Sequence, residues 1–203
     1  MPTRPALRHV VVVLDRSGSM ASIASEVVGG FNQLLAELRS ADPDALVTLI
    51  QFDDEDPFEV VVNARPVDTP DVTADQYQPR GTTPLYDALG WTFNHLAGRA
   101  ARRADGELPA EAMEIVTITD GLENASRRWG AHAIAGRIRR RKEAGWRFRY
   151  LGANQDAWAE GARIGLDRGD VAGFVADPVG TRAMFTALSA DLGRPRPASR
   201  NGR

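Results

Sequence analysis

The sequence predicts an α/β fold: a doubly wound, mainly parallel sheet with one antiparallel edge strand and helices on both faces. Two observations carry this reading. His9-Val10-Val11-Val12-Val13-Leu14 and Glu114-Ile115-Val116-Thr117-Ile118-Thr119 are β-rich runs without strict polar alternation, the pattern of strands buried on both faces. Between such runs lie segments whose apolar residues recur at spacings of three and four, the period of helices with one buried side. Strands alternating with helices in this way call for a parallel sheet covered on both faces.

The elements follow in order. After the first strand, the turn-forming segment Asp15-Arg16-Ser17-Gly18-Ser19-Met20 leads into a helix expected over residues 22–38, with Ile23, Val27, Phe31, Leu34, Leu35 and Leu38 on one face. A second strand is expected over 46–52. An acidic turn at 53–56 then leads to a strand at 58–62, paired antiparallel at the sheet edge. Residues 65–80 read as a polar loop, and Gly81-Thr82-Thr83-Pro84 opens a helix running to Leu96, with proline suited to the first turn. A surface loop is expected over 100–109, the strand 114–119 next, then a basic helix over 129–144 and a strand over 147–151. Helices over 156–164 and 179–192, with a short strand at 171–175 between them, complete the order. One domain over residues 1–192 and a disordered Arg- and Pro-rich tail over 193–203 are expected.

Composition narrows the function classes. The absence of cysteine excludes disulfides, thiolate metal sites and a cysteine nucleophile. No apolar run reaches the roughly 20 residues of a membrane span, and residues 1–9 contain no apolar leader core, so a cytoplasmic protein with no membrane association is expected. A net charge of -2 argues against a dedicated nucleic-acid binder. The basic cluster Arg137, Arg139, Arg140, Arg141 and Lys142, preceded by Arg127 and Arg128, reads as a solvated helix face without an aromatic platform. Asp53-Asp54-Glu55-Asp56 lacks the spacing and glycine of a calcium loop and reads as an exposed turn. His9, His95 and His132 are too scattered to form a ligand pair and read as structural or exposed.

Three polar loops carry the chemistry. One supplies Asp15, Ser17 and Ser19, a second Thr83 at a helix entrance, and a third Asp120 directly after a buried strand. In doubly wound sheets such strand-end loops are where ligands sit. All five side chains are oxygen donors, which suits a hard divalent cation. Two carboxylates would balance its charge, and the neutral hydroxyls would leave it electrophilic toward an added anion. The alternative is that Asp15 and Ser17 cap the following helix and Asp120 is a turn residue.

Asp15-x-Ser17-x-Ser19, Thr83 in Gly81-Thr82-Thr83-Pro84-Leu85, and Thr119-Asp120-Gly121 together resemble the metal-ion-dependent adhesion site (MIDAS) of von Willebrand factor A (VWA) domains. The resemblance extends over roughly residues 8–177 with the motifs in the family's order. Thr83 rather than Thr82 matches, because it precedes the Pro-Leu pair. The resemblance implies a Rossmann-like fold in which Ser17, Ser19 and Thr83 coordinate the ion and Asp15 and Asp120 act directly or through water. It implies one divalent cation, Mg²⁺ ahead of Mn²⁺ or Ca²⁺, completed by an Asp or Glu of a partner protein. Gly18, Gly121, Asn154 and Asp156 are candidates for the rim, although an Asx turn explains Asn154 and Asp156 equally well. The run Leu151-Gly152-Ala153-Asn154-Gln155-Asp156 is similar to bacterial intracellular members.

Two other functions compete with a binding module. A metal-dependent phosphohydrolase could use a strand-end aspartate, but position 17 holds serine where a second carboxylate would be expected, and no phosphate-binding loop with lysine appears. A scaffold or RNA-associated subunit would instead use the basic helix and tail.

Overall fold

The computed structural model describes residues 6–106, 109–153 and 157–194. Strands β1 (Leu7–Asp15), β2 (Leu46–Phe52), β3 (Glu59–Pro66), β4 (Glu111–Thr119), β5 (Arg147–Ala153) and β6 (Val171–Phe174) form one sheet in the order β3-β2-β1-β4-β5-β6. All neighbours are parallel except the edge pair β2–β3. The helices are α1 (Ala24–Ala41), α2 (Leu85–Ala104), α3 (Ala131–Glu143), α4 (Ala157–Arg163) and α5 (Pro178–Leu192).

The unbroken valine run of β1 is explained by burial on both sides. Val10, Val12 and Leu14 face the layer containing α1 and α5, while Val11 and Val13 face the layer with α2, α3 and α4. On α1 the predicted stripe is buried: Val27, Phe31, Leu34, Leu35 and Leu38. Gly30 lies on the same face because a Cβ there would come within 2.2 Å of the Phe185 ring on α5. Helix α5 starts at an Asp177 cap accepting from Gly180 N at 2.6 Å, with Pro178 in its first turn.

Several boundaries differ from expectation for local reasons. The first helix begins as a 3-10 turn over Gly18–Ile23, and regular α-helix starts only at Ala24. Strand β3 runs on to Pro66 through an irregularity at Ala64, whose φ is 46° and whose N–H donates to Thr48 Oγ1. Within the expected loop that follows, Ala74–Gln76 forms a 3-10 turn capped reciprocally by Thr73 and Gln76. Helix α2 continues past Leu96 to Ala104, into the expected loop. Its apolar stripe ends there, but Arg99 and Arg103 tie the last two turns to Glu111. That same anchoring starts β4 three residues early, at Glu111. Helix α3 begins at Ala131, leaving Trp129 outside it. The tail expected from Gly193 lies outside the described residues beyond Arg194.

Candidate functional site

β1 pairs with β2 on one side and β4 on the other, so the chain reverses its winding there and the loops leaving β1 and β4 diverge. Asp15 ends β1 and Asp120 follows β4, which puts both carboxylates at the carboxyl end of the sheet. Asp15 is fully buried. Its Oδ1 accepts from Ser17 N at 2.7 Å, and its Oδ2 accepts from Thr119 Oγ1 at 2.6 Å. Ser17 Oγ lies 3.2 Å from Ser19 Oγ, and Ser19 Oγ donates to Asp120 Oδ1 at 2.6 Å. Thr83 joins them through Gly121, where an added Cβ would lie 3.2 Å from Thr83 Oγ1 and 3.8 Å from Ser19 Oγ. The five predicted oxygen donors therefore converge.

Burial pushes the Asp15 carboxyl up to about 6, against the hydrogen bonds from Thr119 and Ser17, and the Asp120 charge adds to the rise. Burial raises Asp120 as well, against its bond from Ser19. Two neighbouring carboxylates that resist ionisation, beside three hydroxyls, form a donor set that fits a hard divalent cation. An ionised carboxylate has lone pairs to spare beyond the two hydrogen bonds Asp15 already accepts. No group of three or more His, Cys, Asp or Glu side chains with metal-holding geometry occurs among the described residues.

The three loops are fastened by groups that the motif did not identify. Gly18 N donates to Gly81 O at 3.1 Å, and Arg80 N to Arg16 O at 2.9 Å, joining the first two loops. Gly81 adopts φ 62°, and a side chain there would collide with Asp54 Oδ1. Asn124 locks Thr83 to the third loop in both directions, by Thr83 N to Asn124 Oδ1 at 2.9 Å and Asn124 N to Thr83 O at 3.1 Å. Tyr77 OH donates to Asp15 O at 2.6 Å. Thr119 was visible as part of the third motif, but nothing in the sequence marks its bond to Asp15 across two strands.

Two expectations are corrected here. The acidic turn is not simply exposed: Asp53 is fully buried and accepts from Arg16, Arg80 and the backbone N–H groups of Glu55 and Asp56. Nor is the basic helix only a solvated face. Arg141 stacks over Phe93 and Trp146, Lys142 pairs with Asp167 and Asp170, and Arg137 bonds Gly90 O and Asn94. An aromatic platform does accompany it, formed by Trp91 and Trp129. His9 is structural as expected, buried between Glu111 and Thr48. Asn154 and Asp156, proposed for the rim, lie outside the described residues, whereas Gly18 and Gly121 border the site. No helix among the described residues is long and apolar enough to cross a membrane.

Sequence comparison matches no family model and no curated protein. Solved structures do match. The SpRpn10 VWA domain is 10% identical, with 95% of this chain and 100% of that chain covered and a TM-score of 0.63. The pilus adhesin SpaC of Lactobacillus rhamnosus GG, in its open conformation, is 15% identical with a TM-score of 0.67, covering 94% of this chain and 30% of its own. Proximal thread matrix protein 1 of the mussel byssus, with a zinc-occupied MIDAS motif, is 16% identical with a TM-score of 0.63, covering 94% and 48%. The chain thus spans under a third of the adhesin and about half of the byssus protein, but the whole of the SpRpn10 domain. At these identities the likeness concerns the fold, and this chain has the fold of a von Willebrand factor A domain.

Proposed function

We propose that this chain is a divalent-cation-dependent protein-binding module. Asp15, Ser17, Ser19, Thr83 and Asp120 hold one cation, Mg²⁺ in preference to Mn²⁺ or Ca²⁺, and a partner's Asp or Glu completes its shell. The observation that carries this reading is the convergence of two carboxylates and three hydroxyls from three loops, with Ser19 bonded at once to the Asp120 and Ser17 sides. A bound cation supplies an electrophilic point charge open to an anionic oxygen. The chain's own residues orient the donors: Thr119 holds Asp15, Asn124 holds Thr83, and the Gly18–Gly81 bond keeps the first two loops in contact. The byssus protein with zinc in its MIDAS motif and the manganese-loaded TRAP protein of Plasmodium vivax lend support, since both share the fold.

The test is capture of partner protein from source-cell lysate with Mg²⁺ and with EDTA, using wild type and Asp15→Ala. Capture should need the metal and fail in the variant, with circular dichroism confirming that the variant is folded. Capture indifferent to both chelator and mutation would overturn the reading.

A further inference from the structure

Beside the candidate metal site lies a surface whose positive charges have no carboxylate partner among the described residues. Among the described residues, Arg127, Arg128, Arg139 and Arg140 are exposed and make no carboxylate pair, and Arg137 bonds only Gly90 O and Asn94. Most other described arginines do reach a carboxylate, Arg8, Arg16, Arg80 and Arg99 among them. In a chain of net charge -2, this concentration of unmatched guanidinium groups is local.

The arginines are also organised. Trp129 and Trp91 meet edge to face at 5.2 Å, and the Arg128 guanidinium lies 4.8 Å from one ring and 5.0 Å from the other. Arg137 sits 5.5 Å from Trp129. Gly90 makes room for this stack, because a Cβ there would fall 2.2 Å from the Trp129 ring. Stacking of this kind fixes a guanidinium and turns its N–H edge outward for bidentate recognition of an oxyanion. Burial, with a smaller contribution from the Arg140 charge, lowers Arg137 from its usual value.

Position links this surface to the site. Gly90 is five residues into α2, which opens directly after Thr83-Pro84, so the stack begins roughly 10 Å along the helix from Thr83. The connecting loop carries Leu122, a large apolar side chain left half-exposed between Asp120 and Arg127. Exposed Leu122, the half-buried tryptophans and the exposed arginines match the residue types that anchor protein interfaces.

We infer that this strip receives an acidic polypeptide segment of the partner, whose one carboxylate meets the cation while further carboxylates pair with the tryptophan-backed arginines. The inference rests on the metal-binding reading above. Nucleic acid fits less well, because Arg128 and Arg137 already occupy the tryptophan faces that bases would need, and the chain as a whole is acidic.

The test uses fluorescein-labelled (Glu-Gly)5 and (Gln-Gly)5 peptides, read by anisotropy in Mg²⁺ and in EDTA. Wild type should bind the glutamate peptide in Mg²⁺ and not the glutamine peptide. Arg127→Glu/Arg128→Glu should weaken that binding about tenfold or more, while Mn²⁺ titration of the variant alone stays at the wild-type value. Arg139→Glu/Arg140→Glu, on exposed positions further along α3, serves as the second variant. The inference is overturned if both charge reversals leave Mg²⁺-dependent peptide binding unchanged, or if wild type binds neither peptide. A single-stranded oligonucleotide that displaces the peptide at lower concentration would overturn it in favour of nucleic acid. Failure of the metal reading has a different signature: wild type then takes up no Mn²⁺, and peptide binding ignores EDTA.

Discussion

Ser19 Oγ is the point at which the first and third loops meet, because it touches both Ser17 and Asp120. Gly121 sits beside it with room for hydrogen but little for methyl, its Cβ position being 3.2 Å from Thr83 Oγ1. Gly121→Ala should therefore displace one hydroxyl of the donor set. Mn²⁺ affinity measured by calorimetry should fall several-fold, with the thermal midpoint of the metal-free protein little changed, since Gly121 is only half-buried. In the wild type, cation at about a hundred times its dissociation constant should add about 2.7 kcal/mol of stability. That increment should vanish in Asp120→Ala.

Asp53 shows how a loop between elements becomes rigid enough to support a site. It draws Arg16 from the end of β1 and Arg80 from the loop before α2 onto one buried carboxylate, which those bonds hold below the usual range against the opposing effect of burial. Asp53→Ala leaves Arg16 buried with Glu59 and Gln51 as its partners among the described residues. Because Arg16 keeps Glu59, the cost should be about 1–3 kcal/mol in urea unfolding, the range for buried donors that lose one acceptor. On the opposite layer, α1 and α5 pack through Gly30 against Phe185. Gly30→Ala forces methyl into the ring and should destabilise by about 1–3 kcal/mol, with an unchanged urea m-value. The helix stripes themselves were legible because apolar periodicity is local. Where α2 would stop was not, since its last two turns depend on Glu111 contacts from another strand.

Across the whole molecule, the two ends of the sheet carry opposite electrostatic designs. The carboxyl end holds Asp15 and Asp120, whose ionisation burial resists. At the amino end, Glu111 is surrounded by His9, Arg99 and Arg103. Burial opposes ionisation of Glu111, but hydrogen bonds from His9 and Arg99 outweigh it and bring the carboxyl from 4.5 down to about 2. A depressed folded-state value means a contribution to stability that is present above pH 4.5 and lost as the pH falls toward 2. Urea midpoints of wild type and Glu111→Gln should therefore differ at neutral pH and converge through that window. A gap that persists at pH 2 would assign the loss to packing alone. The metal-ligand candidates and the antiparallel edge strand were readable from sequence, because strand-end motifs and strand composition are each contiguous, whereas the order β3-β2-β1-β4-β5-β6 was set by packing.

The sequence by itself determined the α/β class, the doubly buried first strand, the edge hairpin and the five oxygen donors, each being a pattern within a few neighbouring residues. Only the tertiary structure decided which groups fasten those donors: Thr119 to Asp15, Asn124 to Thr83, and Asp53 between Arg16 and Arg80. It also decided that the arginines before and along α3 are not a uniform solvated face, since Trp91 and Trp129 come together only when α2 and the third loop pack. The physical reason is the same in each case. Hydrogen-bond and stacking partners are chosen by distance in space, and segments 37 to 104 residues apart in sequence leave no periodic trace of meeting.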